Sequence, residues 1–301
     1  MAEVKEETKA AAPQGAAAST HPAIQTVNLS KKFGRTVALA GLSMTVPRGE
    51  VFGFLGPNGA GKTTSVKLLL GLLKPTGGEA WLLGRPIGDL QTRRKIGYLP
   101  ELFRYQGWLS AREVLALHCE LAPLPRSSWD DEITSALETV GLSDRATDRV
   151  GTFSKGMQQR LGLATALVGE PELVFLDEPT SALDPVGRHD VREIIRGLAS
   201  RGTAVFLNSH LLSEVELVCD RVTIIDRGQV VAEGRPDELE RPRGVEVEID
   251  GGTRVYDGAG RDDVPRIVAE LVAAGERVYG ARVLASTLEE VYLEAVGGRT
   301  G

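Results

Sequence analysis

Apolar residues fall into two rhythms along this chain. Between residues 23 and 55, runs of β-formers ("AIQTVNL", "LSMTV", "EVFGFLG") are punctuated by Gly34, Gly41 and Gly49 and predict strands with tight turns. From Lys62 to Leu73 the spacing lengthens, which predicts a helix stopped by Lys74-Pro75. "EAWLLG" and "KIGYLP" return to strand character. Residues 110–142 are helical in period, with Val114, Leu117 and Leu121 on one face and Ile133, Leu137 and Val140 on another. A further helix is predicted from Ser154 to Gly169, its stripe formed by Met157, Leu161, Ala164 and Val168. Then come a strand ("LVFLDE"), a helix (Val186 to Ser200), a strand ("TAVFLNSH") and a helix (Ser213 to Cys219). Parallel strands need crossover helices, so this alternation predicts an α/β domain with a mostly parallel, buried sheet.

"RVTIIDRGQVVAEG" predicts a hairpin turning at Arg227-Gly228. The "RPRG" run at 241–244 marks a boundary, followed by "VEVEID", a helix near Val264 to Ala274 and a last helix near Leu288 to Ala295. The first 22 residues are Ala-rich with early acidic residues, and are expected to form a disordered tail rather than a signal peptide. No apolar run reaches the roughly 18 residues of a membrane span; the one from Val66 to Leu73 is broken by Lys67 and Gly71. A net charge of −6 argues against a dedicated nucleic-acid binder, whose footprint is basic. Cys119 and Cys219 sit in no Cys/His cluster and are expected to be buried thiols in a reducing compartment.

The chemistry begins at "GPNGAGKTT", which fits G-x-x-x-x-G-K-[ST] and lies between an apolar strand and an apolar helix. Glycines let a backbone turn and bring its N–H groups against phosphate oxygens, and the helix that starts there points its positive end at the same anion. The run Gly56, Pro57, Asn58, Gly59, Ala60, Gly61, Lys62, Thr63 and Thr64 is therefore a candidate nucleotide cradle. Lys62 supplies charge to the outer phosphates, and the Thr63 hydroxyl suits Mg²⁺, a cation that takes hard oxygen ligands. Further on, the apolar strand of "LVFLDEPT" ends in two carboxylates. Ligands of open α/β sheets bind at such strand ends. Asp177 is placed to hold Mg²⁺ and Glu178 to polarise an attacking water as general base.

The order of phosphate loop, helical insert, Ser-x-Gly helix, Asp-Glu strand, Ser-Ala-Leu-Asp, strand and His resembles the nucleotide-binding domain of ABC transporters over roughly residues 23–240. The resemblance implies a P-loop NTPase of ABC type with ATP and Mg²⁺ as its cofactors. Its expected parts are a mostly parallel core sheet, an antiparallel β subdomain, a helical subdomain at about 102–153 and a small α+β accessory domain at 245–301. The family's signature resembles Leu-Ser-Gly-Gly-Gln; here "FSKGMQQR" keeps Ser154 and Gly156 and departs at Phe153, Lys155 and Met157. The retained pair implies a head-to-tail dimer of two copies with ATP sandwiched between them. Ser181 to Asp184 match the loop that crosses that interface, so Asp184 joins the nucleotide contacts. His210 matches the histidine that contacts the γ-phosphate, and Phe33 the aromatic that stacks on adenine. Where the family carries a Gln that touches Mg²⁺ and relays motion to the membrane subunit, this chain has Glu101, implied here as a metal contact.

Such domains meet a separate transmembrane permease subunit through the helical insert, where Tyr105, Trp108 and Leu109 are candidate anchors. The resemblance is strongest to the ABC-2 exporter branch, on "YLPE", "SKGMQQR", "NSHLLSEVE" and the ending "STLEEVYLEAVG". It implies a cytoplasmic subunit held on the inner face of the membrane by its partner, with the cargo unnamed. DNA- or ribosome-acting relatives fit less well, because only about 90 residues, without heptads, separate Lys62 from Ser154 and the chain holds one cassette. A small-molecule kinase would account for Lys62 and Thr63 but not for the later motifs. Mechanical use of ATP-driven dimerisation without cargo remains the alternative.

Overall fold

The computed structural model of the protein describes residues 21–122, 124–181, 183–239 and 242–297. The expected tail therefore lies outside the described residues except for His21 and Pro22, as do Ala182, Glu240 and Arg241, the first residue of the boundary run. Strands β1 (Ile24–Phe33) and β2 (Thr36–Val46) form a hairpin whose alternate residues, including Leu29, Leu39, Leu42 and Met44, are buried. They lead into β3 (Val51–Leu55), every residue of which is buried. Helix α1 (Lys62–Leu69) follows, then β4 (Gly77–Leu82) and the short β5 (Arg85–Pro86). One antiparallel sheet has the order β2-β1-β4-β5. Helix α1 is shorter than its apolar pattern predicts: Gly71 takes a φ of 68° and ends it before Lys74-Pro75 is reached.

After α2 (Leu90–Arg93) and β6 (Ile96–Leu99), the chain enters a helical stretch with α3 (Ala111–Leu121) and α4 (Trp129–Thr139). It returns through α5 (Lys155–Leu167), β7 (Leu173–Asp177), α6 (Pro185–Ser200), β8 (Ala204–Asn208) and α7 (Leu212–Val218). A hairpin of β9 (Arg221–Asp226) and β10 (Gln229–Gly234), turning at Arg227-Gly228 as predicted, and α8 (Pro236–Leu239) complete this part. The second sheet has the order β10-β9-β3-β8-β7-β6, parallel except at β10. Both faces of its central strands are covered, which is why β3, β7 and β8 are almost uninterrupted apolar runs. One face carries Phe52, Phe54 and Phe175 around Phe206, with ring centroids 5.1 to 5.9 Å from it. Each buried Phe adds about 1.5–3 kcal/mol of apolar burial. The other face sets Val174, Leu176, Val205 and Leu207 in one core with Leu161, Leu163, Val191 and Ile195.

The helical stretch departs from the sequence pattern in one respect. Helix α3 buries Ala111, Val114, Leu115 and Cys119, while Leu117 and Leu121 point outward. The packed face is the one turned to α4 and α5, one helical step away from the predicted stripe. Both cysteines are buried and unpaired, as expected.

Strand β11 (Pro242–Ile249) begins inside the boundary run and, with β12 (Gly252–Asp257) and β13 (Val278–Ala285), builds a third sheet of order β12-β11-β13, packed by α9 (Val264–Ala273). Val245, Val247 and Ile249 face Ile267 and Leu271 in a separate small core. The last helix, α10 (Leu288–Gly297), leaves that core: Leu288, Val291, Tyr292 and Val296 pack into the core of the larger part.

Candidate active site

The C-terminal ends of β3, β7 and β8 meet at one edge of the parallel sheet, with Phe54 and Asp177 both in register with Asn208. The Gly56–Thr64 loop leaves this edge directly after β3. Two of its glycines are dictated by close approach. A Cβ at Gly56 would stand 2.3 Å from the carbonyl oxygen of Ile225. Gly61 has a φ of 108°, and a Cβ there would stand 2.5 Å from the Ala38 carbonyl oxygen. The loop encloses a cavity of about 170 Å³ lined by Ala38, Pro57, Asn58, Gly59, Gly61, Lys62, Thr63 and Thr64. Helix α1 begins here with no side-chain cap and no acidic residue in its first turn. Its first N–H groups and positive end are thus free for an anion.

Lys62 donates from Nζ to the Gly56 carbonyl at 2.6 Å. Burial pulls its pKa down, opposed by the charges of Glu178, Asp177 and Glu101, so one cation shares a neighbourhood with three carboxylates. Asp177 ends β7 buried and accepts a hydrogen bond at Oδ1 from Nδ2 of Asn208. Burial pushes the Asp177 carboxyl up, and the Asn208 hydrogen bond partly reverses this. Glu178 has a φ of 53°, a strained left-handed value for a non-glycine residue, and its N–H donates to the Asn208 carbonyl at 2.8 Å. Its Oε2 is buried and lies 2.8 Å from Nδ1 of His210 without an aligned hydrogen bond. Burial pushes the Glu178 carboxyl up as well, which makes its ionised form a better proton acceptor.

The remaining predicted residues lie around this centre. Thr63 lines the cavity. Glu101 is exposed on the loop after β6 and reaches Lys62 and Asp177 through its charge. Phe33 ends β1 at 48% exposure, with the Lys31 ammonium 5.0 Å from its ring centroid. Ser154 caps α5 by accepting from the Met157 N–H, and Asp184 caps α6 by accepting from the Gly187 N–H. Gly156 sits beside Leu183, and none of Ser154, Gly156 and Asp184 lines the phosphate-loop cavity. Asn208 went unread in the sequence. Its only signal is a polar residue closing an apolar strand, and its meaning depends on the β7–β8 register. Of the candidate anchors, Trp108 is 71% exposed, but Tyr105 packs on the core and pairs its hydroxyl with Thr165 at 2.9 Å.

The donor set of Thr63, Asp177 and Glu101 is all hard oxygen, which suits a small divalent cation. Among the described residues no three His, Cys, Asp or Glu side chains form a ready metal cage. That fits a cation whose remaining ligands come from nucleotide phosphates and water.

Comparison with known proteins gives one direction. Residues 39–181 match the family described as ABC transporter. The chain is 49% identical over 207 residues, 68% of this chain and 62% of the relative, to an uncharacterised ABC transporter ATP-binding protein of Nostoc sp.. It is 34% identical to the bacitracin transport ATP-binding protein BcrA of Bacillus licheniformis, over 92% of this chain and 98% of that protein. It is 40% identical to the Nod factor export ATP-binding protein I of Rhizobium sp., over 76% of this chain and 77% of that one. A solved structure of an ATP-binding subunit of an ABC transporter superposes with a TM-score of 0.68 at 26% identity, over 90% of this chain and 98% of that chain.

Proposed function

The chain belongs to the ABC transporter ATP-binding proteins, and from that premise we propose that it powers export through a separate membrane subunit, two copies sandwiching two ATP molecules. It is an ATP-binding transport ATPase. The observation that carries the reading is the convergence of Lys62, Asp177, Glu178 and His210 at one edge of the parallel sheet. Export is favoured by the relative named for Nod factor export.

In this reading the Gly56–Thr64 loop and α1 cradle the phosphates, and Lys62 turns from the Gly56 carbonyl to the outer phosphates. Glu178, made more basic by burial, takes a proton from the attacking water. His210 orients the Glu178 carboxylate and contacts the γ-phosphate. Thr63, Asp177 and Glu101 would hold Mg²⁺, which supplies charge neutralisation at the β- and γ-phosphates. Asn208 keeps Asp177 directed by occupying one of its oxygens. Phe33 stacks on the base, Ser154 and Gly156 face the phosphate loop of the second copy, and Asp184 lies at that interface. Gly156 supports the sandwich, because a Cβ there would meet only ordinary contacts at 3.9 Å within the chain. Nothing in its own fold demands a glycine, whereas close approach by a second molecule does.

No helix among the described residues is long and apolar enough to cross a membrane. In this reading a separate membrane subunit docks on the outward side of the helical stretch around Trp108 and Leu121 and holds this subunit at the inner membrane face. The test is phosphate release with ATP and Mg²⁺. Wild-type chain, with its membrane subunit, turns over, and Glu178→Gln loses at least about a hundredfold in kcat. Turnover by Glu178→Gln at the wild-type rate would remove Glu178 from the role of base.

A further inference from the structure

Helix α7 has seven residues, and no side chain caps its start. So short a helix does not hold its place by itself. It begins two residues after His210, so its placement sets where that ring stands.

Val215 and Val218 bury its apolar side in the large core, and three polar ties set its position on that core. Arg192 on α6 pairs with Glu214 in its first turn at 2.6 Å, and the two side chains are only 17% and 10% exposed. Arg196, four residues on and on the same face of α6, donates to the Leu217 carbonyl in the last turn. A cation there also meets the negative end of the helix. From the other side, Glu216 accepts the N–H of Leu288, which opens α10. The Arg192–Glu214 pair is the firmest of the polar ties, since it is mostly shielded from water and loss of one charge strands the other.

We propose that Arg192 and Arg196 are positioning residues, which clamp α7 onto α6 and thereby set the approach of His210 to Glu178. The clamp has a second consequence. Helix α6 starts at the Asp184 cap, directly after the loop assigned above to the dimer interface. The rigid α6–α7 bracket then joins that loop to His210, so a shift at the interface is felt at the histidine. This inference rests on the role given to His210 above.

The test uses the full chain with ¹³C,¹⁵N-labelled histidine. The sequence holds four histidines (His21, His118, His189 and His210), and His210→Ala identifies the ring signal of interest. Glu214→Gln is expected to shift or broaden the His210 signal while His21 and His118 stay in place. A global loss of structure would move all of them, and an unmoved His210 signal overturns the clamp. Steady-state kinetics give the second arm. Glu214→Gln lowers kcat by about five- to tenfold with KM for ATP within about twofold, and has no further effect in a His210→Ala background. An equal loss with and without His210 also overturns the proposal. If His210→Ala itself keeps full turnover, the role of His210 falls, and the ring signal alone decides on the clamp. Should Glu214→Gln not fold, Arg196→Ala replaces it, because that tie lies at the surface.

Discussion

Two sheets in this protein solve the same problem differently. The central strands of the six-stranded sheet, β3, β7 and β8, are buried on both faces and leave no place for polar groups except at their ends. The three-stranded C-terminal sheet buries one face on α9 and turns Glu246, Arg254 and Arg282 outward into solvated ion pairs. Polar groups spread over an open face are screened and individually weak. Polar groups gathered at the rim of a dry sheet are desolvated, hydrogen-bonded to the neighbouring strand and shifted in pKa, as Asp177 and Glu178 are. The difference shows why chemistry collects at one rim of this molecule and not on its charged C-terminal face.

Substitutions can separate the two regions. Lys62→Ala should have the largest effect, weakening ATP binding by about a hundredfold or more, or about 3 kcal/mol by calorimetry, with the fold intact. Val247→Ala is its mirror image. It should cost the small C-terminal core about 2 kcal/mol, read as faster amide exchange in β11 and β13, with ATP turnover unchanged. Asn208→Leu has the next smaller effect. Without the amide on Asp177, kcat should drop about tenfold, or about 1.4 kcal/mol of barrier, while ATP binding without metal holds.

The smallest effect belongs to Glu172, at the far end of β7 from the site. The hydrogen bond from Lys95, then that from Arg48, holds its carboxyl below the usual glutamate value. A depressed carboxylate pKa stabilises the fold fully above the unfolded value, and that stability is lost as pH falls through the folded one. The side chain is 36% exposed and screened, so Glu172→Gln should cost under about 1 kcal/mol at neutral pH and flatten the acid limb of a stability titration.

Much of this was legible in the sequence because it is local. The phosphate loop, the Arg227-Gly228 turn, the helix start at Ser154 and the apolar strands are written in consecutive residues. What was not legible depends on register and packing. Asn208 acquires its role only because β7 and β8 pair with Asp177 opposite it. The face of α3 was misread because Leu117 and Leu121 share a helical spacing with Val114, while α4 and α5 cover the adjoining side. Tyr105 and Trp108, three residues apart, divide between core and surface, which no composition rule separates. The return of α10 to the larger core depends on contacts distant in sequence: the packing of Leu288, Val291, Tyr292 and Val296 there, and the Leu288 N–H donated to Glu216.

In the proposed mechanism, Glu178 activates water on an ATP held between two copies of this chain. The direct measurement is the solution mass of Glu178→Gln by light scattering, with Mg²⁺ and either ATP or ADP. The mass should double with ATP and stay single with ADP, because an unhydrolysed nucleotide keeps the sandwich closed. A variant that binds ATP yet stays at the single-chain mass would contradict this mechanism.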